Sequence, residues 1–139
     1  MAGYSGTPLI KKLGIKEGFR VAIVDGPQNF AKELGPLPTG ATALGRPTRS
    51  MDFVLVFTKS AAALKRDFAR LAKCLAPTGM LWISWPKKSS GVDTDLSENI
   101  VREIGLDAGL VDVKVCAVND VWSGLKFVYR LSDRASLQK

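Results

Sequence analysis

Three features of the 139-residue sequence predict a mixed α/β fold with a mostly parallel sheet that ends in an antiparallel pair of strands. Short apolar segments alternate with segments that have the spacing of amphipathic helices, which favours parallel strands joined by helical crossovers. The apolar segments are nearly continuous, as in strands that are covered on both faces. The last two apolar segments are separated by a short turn, so we expect them to pair antiparallel.

The first half of the chain contains short elements that are bounded by glycine and proline. They are, in chain order, a helix at 7–14, a strand at 19–24, a helix at 28–34 and a weak edge strand at 41–44. Thr7 can cap the first helix, and Gly14 suits its end. An edge strand exposes unpaired backbone groups, so self-association through 41–44 stays open.

The second half contains the longer elements. They are a strand at 52–57, a helix at 60–75, a strand at 80–85, a polar loop at 87–95, a helix at 95–109, strands at 111–118 and 125–131, and a frayed tail at 132–139. Leu64, Phe68 and Leu71 recur at helical spacing and form one apolar stripe on the first of these helices. Asp95 and Glu98 have the spacing of a capping box, so Asp95 is expected to cap the second.

This order of elements predicts one domain over residues 1–139, with a short N-terminal helix and a core at 19–131. A chain of this length buries about two-thirds of the surface that its unfolded form exposes, which is enough for a real core. The predicted architecture is a small three-layer Rossmann-like sandwich. Its sheet is mostly parallel and carries the antiparallel strand pair at the C-terminal end.

The composition limits the chemistry that the chain can perform. It has no histidine, which removes the commonest general base and most transition-metal sites. Two cysteines, Cys74 and Cys116, are too few for a zinc cluster or a disulfide scaffold, and we expect buried thiols. We therefore predict no metal site and no catalytic residue. No apolar run approaches the roughly 18 residues of a membrane span, and no signal peptide is recognisable, so we predict a cytoplasmic protein without a membrane partner.

The net charge of +7 favours anionic partners. The polar side of the long helix carries a basic stripe: Lys59, Arg66, Arg70 and Lys73. This stripe could touch nucleic acid, but it lacks the interleaved aromatic residues of such surfaces. A solvated helix face is therefore the expected role, and weak nucleic-acid binding is a second alternative function.

The segments at 52–57, 71–79 and 80–84 give an apolar strand, a helix that ends in leucine, proline and glycine, and another apolar strand. This succession resembles the second half of the class I methyltransferase-type Rossmann fold. The closing strands also resemble the end of that fold. The resemblance implies an adenosylmethionine site at the carboxyl ends of the first two strands.

The residues at that expected cofactor site depart from the family pattern. Asp25 matches the acidic residue after the first strand, but Pro27 and Asn29 stand where the family has the glycines of a Gly-x-Gly turn. Pro27 also removes a backbone donor. The second strand leads into Gly45-Arg46 rather than into an acidic residue for the ribose hydroxyls. The resemblance thus predicts the fold in a degenerate form, and no cofactor is expected.

The phrases at 3–9, 85–91 and 122–125 carry a narrower resemblance. They resemble a family of small bacterial proteins of unknown function (domain of unknown function three-zero-five-two). That resemblance implies a fold and no particular activity.

In an open parallel sheet, ligands bind beyond the carboxyl ends of the strands. The candidate ligand-binding residues at these ends are Asp25, Gly26, Lys59, Ser60, Trp85, Lys87, Lys88, Ser89 and Ser90. Ser60 and the helix amides after it could seat an anion, the lysines could neutralise a phosphate, and Trp85 could stack on a base. The alternative is that Trp85 packs in the core and the lysines are solvated.

These residues favour a non-enzymatic or degenerate Rossmann-like module. It would bind an anionic small molecule or a protein partner at the carboxyl ends of the strands. The alternative is an adenosylmethionine-dependent, methyltransferase-like enzyme with a modified cofactor site, for which Asp25 is the remaining mark. Asp93 and Asp95 lie two residues apart, but helix capping explains Asp95 without a metal.

Overall fold

The computed structural model describes residues 8–137, and these form a single six-stranded sheet with helices on both of its faces. The strands are β1 (Arg20–Val24), β2 (Thr42–Leu44), β3 (Met51–Phe57), β4 (Leu75–Pro86), β5 (Leu110–Ala117) and β6 (Trp122–Tyr129). Their spatial order is β2-β1-β3-β4-β6-β5. The first four strands pair parallel, while β6 pairs antiparallel with both β4 and β5. The predicted fold class is confirmed.

Five α-helices accompany the sheet in the described part of the chain. They are α1 (Leu9–Leu13), α2 (Phe30–Leu34), α3 (Ala61–Lys73), α4 (Glu98–Asp107) and α5 (Leu131–Leu137). The apolar core divides into two clusters, one of which contains the inward side chains of α3 and α4 and the other those of α1 and α2. We call the two sides of the sheet the α3/α4 face and the α1/α2 face.

Strand β4 lies at the centre of the sheet and is buried on both faces. Leu81, Ile83 and Trp85 pack in the α3/α4 cluster, while Met80 and Trp82 pack in the α1/α2 cluster. Successive side chains of a strand point to opposite faces, so a continuous apolar run is required for a strand that is covered twice. The same strand separates the parallel half of the sheet from its antiparallel end.

Several boundaries differ from the sequence predictions. Strand β4 begins at Leu75 rather than at residue 80, and β6 begins at Trp122 rather than at residue 125. Ser97, and not Asp95, is the N-cap of α4, because its side chain accepts a hydrogen bond from the backbone N–H of Ile100. Residues 131–137 form a helix where a frayed tail was expected, and the Arg134 Nε donates to the carbonyl oxygen of Tyr129 at 3.2 Å. The expected cap at Thr7 lies outside the described residues.

Gly105 sets how closely α4 approaches the sheet. A Cβ atom at this position would overlap the ring of Phe127 on β6. The absent side chain therefore allows the helix to close on that ring, which also packs edge-on against Phe68 of α3 at 5.3 Å between centroids.

Candidate functional site

The carboxyl ends of β1, β3 and β4 lie side by side at one edge of the sheet. The register pairs Val24 with Val56 and Phe57 with Ser84, so the residues that follow these strands are neighbours. We call this edge the carboxyl rim and define it by residues 25–27, 58–60 and 86–95.

The loop after β4 is fixed to the beginning of α3 by two side chains. The Thr94 Oγ1 donates to the carbonyl oxygen of Lys59 at 2.7 Å. The Asp95 Oδ1 accepts from the backbone N–H of Ala61 at 2.8 Å. Both contacts join residues that lie more than thirty positions apart in the sequence, so no local pattern could have predicted them.

These contacts decide what the N-terminus of α3 can hold. The Ser60 Oγ accepts from the backbone N–H of Ala63 at 3.1 Å, which is the expected N-cap. Asp95 takes the neighbouring amide and brings a negative charge to the positive end of the helix. The anion seat expected at Ser60 is therefore occupied by a carboxylate of the chain itself.

The predicted lysines surround this fixed loop. Lys59 and Lys88 are exposed, and Lys87 is partly exposed. The backbone N–H of Lys87 donates to the carbonyl oxygen of Val121 at 2.7 Å. Within residues 8–137, none of these three lysines forms a salt bridge. The carboxyl rim thus presents lysines at the ends of two adjacent strands, and none of them forms a salt bridge in the described residues.

The other predicted residues after β4 differ in burial and in hydrogen bonding. The Trp85 side chain is only 5% exposed and packs in the α3/α4 cluster, so its ring faces are covered in this structure. The Ser90 Oγ donates to the carbonyl oxygen of Lys87 at 2.6 Å and accepts from the N–H of Val92 at 3.1 Å, which shapes the loop. Ser89 is exposed and free for a ligand.

The turn after β1 provides a test of the adenosylmethionine site. Asp25 is exposed and has a positive φ of 55°, and Gly26 follows it. Pro27 removes one backbone donor there, Asn29 stands where the family pattern has a glycine, and α2 begins without a side-chain cap. Arg46 follows β2 where a carboxylate would hold ribose hydroxyls. These residues do not fit the cofactor in the manner that the family pattern requires.

A cleft of about 310 Å³ opens on the α1/α2 face, between α2, strand β1 and the edge strand β2. Most of its lining is apolar, and its residues include Val21, Ile23, Phe30, Leu34 and Leu37. Gly26 and Gln28 border it near the carboxyl rim. The sequence analysis missed this cleft, because it exists only where the five-residue α2 leaves part of the sheet uncovered.

The carboxyl rim contains no cysteine and no tyrosine, and the chain has no histidine. Burial raises the pKa of the Cys116 thiol and of the Tyr129 hydroxyl. Tyr129 lies at the opposite edge of the sheet, whereas Cys116 pairs with Gly124, which pairs with Ser84 near the carboxyl end of β4. No cluster of three metal-ligating side chains occurs in residues 8–137. None of the helices described is long and apolar enough to cross a membrane.

The basic stripe on α3 is partly neutralised within the helix. Arg66 and Arg70 both form salt bridges with Asp67, at 3.2 and 3.3 Å. The hydrogen bond between Arg66 and Asp67 raises the pKa of the arginine and lowers that of the carboxyl. Two of the four predicted cations are therefore already paired at the surface.

Solved structures share this fold at low sequence identity. A SAM-dependent methyltransferase from Aquifex aeolicus is 16% identical, with a TM-score of 0.66 over 90% of this chain and 89% of its own. A possible exported protein from Bordetella parapertussis is 13% identical, with a TM-score of 0.64 over 86% and 64%. The magnesium protoporphyrin IX methyltransferase of Synechocystis PCC 6803, with bound SAH, is 13% identical, with a TM-score of 0.57 over 88% and 78%.

No protein-family model matches the chain, and no curated protein matches its sequence. The expected relation to the small bacterial family therefore stays a prediction. The structural likenesses all lie far below 25% identity, so they bear on architecture alone. The chain has a methyltransferase-like Rossmann fold.

Proposed function

We propose that the chain is a non-catalytic Rossmann-like module that binds a small anion at the carboxyl rim. The observation that carries this proposal is the pair Lys59 and Lys87, which flank a hydrogen-bonded loop without any carboxylate partner among the described residues. Lys88 and Ser89 extend the same surface. Ammonium groups at such positions attract phosphate or carboxylate groups.

The fixed loop defines how the anion would be held. Asp95 already occupies the first amide of α3, so the helix N-terminus adds little to the site. Binding would depend on the lysine side chains and on the Ser89 hydroxyl. The lack of histidine in the chain and of cysteine at the rim supports binding rather than turnover.

Titration calorimetry with inorganic phosphate and with AMP tests this proposal. Lys59→Gln and Lys87→Gln should each weaken binding about tenfold, since a charge-assisted hydrogen bond contributes about 1.5 kcal/mol. Lys65→Gln and Lys73→Gln remove exposed lysines from α3 and serve as matched controls. Equal losses in the rim and control variants, or no binding by the unaltered chain, would refute the rim site.

Cofactor binding of the methyltransferase type is the second candidate. The structural likeness to methyltransferases favours it, as does Asp25, which follows β1 where the methyltransferase-type pattern has an acidic residue. The proline in the β1 turn and the arginine after β2 oppose it. We expect calorimetry with adenosylmethionine at millimolar concentration to give no heat of binding. Saturable binding that is lost in Asp25→Asn would establish this candidate over the first.

The predictions about partners, family membership, location and nucleic-acid binding remain part of the proposal. A protein partner or a second copy could use the rim or the three-residue edge strand β2, where Thr42 and Ala43 are exposed. Membership in the small bacterial family and a cytoplasmic location stay predictions, and cell fractionation tests the second. Weak nucleic-acid binding through the α3 stripe ranks below the rim, since Arg66 and Arg70 are paired.

A further inference from the structure

Four lysines converge on the α1/α2 face, away from the carboxyl rim. They are Lys12 at the end of α1, Lys16 just after it, Lys114 on β5 and Lys126 on β6. We call them the lysine cluster. Three separate parts of the chain supply them, and no run of basic residues in the sequence indicates the group.

A bulge in the edge strand creates the cluster. Asp112 pairs with Phe127, but Lys114 pairs with Lys126, so one extra residue, Val113, lies between the two registers. A bulge of this kind re-aims the side chains that follow it. Asp112 therefore points to the α3/α4 face, where it binds Arg102, while Lys114 points to the opposite face.

The end of α1 is held over the same place. The Trp82 Nε1 donates to the carbonyl oxygen of Leu13 at 3.0 Å, and this indole lies beside Lys126 in the sheet register. The Lys114 Nζ donates to the carbonyl oxygen of Lys12 at 3.0 Å. These two hydrogen bonds fix the end of α1 relative to β4 and β5, so the backbone positions of the lysine cluster are set by the fold.

The charges of the cluster are uncompensated in the described chain. None of its lysines forms a salt bridge there. Burial lowers the pKa of Lys126, and the nearby charges of Lys114 and Lys16 lower it further. The charges of Lys12 and Lys114 oppose the rise in the pKa of the Cys116 thiol, so both ammonium groups lie near that thiol.

Acidic groups near the cluster are committed elsewhere or lie in solvent. Asp112 is turned away with Arg102. Glu33 of α2 accepts a hydrogen bond from the Asn119 side chain at 2.9 Å. Glu17 is exposed and forms no salt bridge in the described chain. Like charges placed directly opposite each other on neighbouring strands destabilise a sheet, so an anion bound here would relieve the repulsion between Lys114 and Lys126.

We propose that the lysine cluster binds a compact multivalent phosphate, such as the di- or triphosphate group of a nucleotide or inorganic polyphosphate. Lysine ammonium groups act as point charges and suit phosphate oxygens, whereas planar carboxylates are matched better by arginine, which the cluster lacks. Four cations on one small area fit several negative charges on one ligand. The site is independent of the rim, so either can fail alone.

Thermal unfolding and calorimetry with sodium tripolyphosphate, at constant ionic strength, test this site. Tripolyphosphate should raise the Tm of the unaltered chain, and Lys114→Gln and Lys126→Met should each weaken its binding about tenfold. Lys126→Met should also raise the Tm without ligand, because it removes a half-buried charge. Lys114 is exposed, so its replacement keeps the fold testable if Lys126→Met does not express.

Two controls separate this site from general charge effects and from the rim. Lys65→Gln on α3 removes one exposed charge and should leave tripolyphosphate binding unchanged. Lys87→Gln should remove at most a separate contribution from the rim, so the tripolyphosphate binding that Lys114→Gln and Lys126→Met weaken should persist in this variant. Weaker binding by AMP than by ADP and ATP would assign the contact to the polyphosphate group of a nucleotide.

Three outcomes would overturn the proposal. One is an equal Tm increase with potassium chloride of the same ionic strength. Another is unchanged tripolyphosphate binding in both cluster variants. The third is tighter binding of a single-stranded oligonucleotide than of tripolyphosphate, which would assign the surface to nucleic acid.

Discussion

The two faces of the sheet differ in how completely they are covered. On the α3/α4 face, helices of 13 and 10 residues pack their apolar sides on the sheet. On the other face, α1 and α2 have five residues each and leave the apolar cleft and the lysine cluster accessible. We infer that the first face contributes most of the stability, and that the second leaves room for ligands.

A few aromatic residues and one glycine account for the different packing of the two faces. Phe68 and Phe127 meet edge-on beneath α3 and α4, and Gly105 admits the close approach of α4. On the other face Phe30 of α2 meets Phe57, but it also borders the cleft. A cavity made next to an existing cleft relaxes more easily than one made in a closed core, because the cost of a cavity depends on how far the site can collapse.

The largest expected effect comes from removing one aromatic ring on each face. Phe68→Ala should lower the free energy of unfolding by about 4 kcal/mol, and Phe30→Ala by about 3 kcal/mol, since both rings are nearly fully buried. Urea denaturation measures both. A larger loss for Phe30→Ala would mean that the α1/α2 face is the more tightly packed of the two.

Gly105→Ala tests the close approach of α4 to the sheet. The added Cβ would overlap the ring of Phe127, so the free energy of unfolding should fall by about 2–3 kcal/mol despite the higher helix propensity of alanine. The matched control is Gly45→Ala, where a Cβ would meet no atom within 4 Å. A stabilised Gly105→Ala variant would show that α4 can shift outward without loss.

Asp95→Ala tests whether the rim loop is held by the α3/α4 face. Loss of the hydrogen bond to the Ala61 amide should lower the free energy of unfolding by about 1 kcal/mol, as for other contacts at helix N-termini. Asp93→Ala removes an exposed neighbouring carboxylate for which no hydrogen bond is found in residues 8–137. Equal effects of the two substitutions in thermal unfolding would show that the hydrogen bond between Asp95 and the Ala61 amide adds no specific stability.

Filling the cleft should produce the smallest change, and a stabilising one. Ala31 lines the cleft, and Ala31→Leu should raise the free energy of unfolding by about 0.5–1 kcal/mol through added apolar contact. Ala62→Leu, at an exposed position of α3, controls for helix propensity. An equal response of both variants would indicate that the added side chain does not enter the cleft.

The fold class could be predicted because its signals are local. The stripe of Leu64, Phe68 and Leu71 is visible in the sequence, and all three side chains are buried in the structure. The continuous apolar runs of β3 and β4 are likewise readable, because a strand covered on both faces needs them. The cap of α4 was misplaced by two residues, because Asp95 and Ser97 are both good capping residues and the sequence alone does not choose between them.

The candidate rim was predictable in outline only. Lysines and serines after the strands are visible in the sequence, and parallel strands bring their carboxyl ends together. The burial of Trp85 and the use of Asp95 at α3 were not visible, since each depends on which distant element packs beside it. The apolar cleft is likewise a consequence of how little of the sheet α2 covers.

By itself, the sequence determined the first four helices, the strands and the mostly parallel sheet, because periodicity and turn residues act over a few positions. Only the tertiary structure decided which side chains face each other across strands. Asp112 and Lys114 are two residues apart and would share a face in a regular strand. The bulge at Val113 sends them to opposite faces and sets Lys114 against Lys126, because a shift of one residue reverses the direction of every side chain that follows.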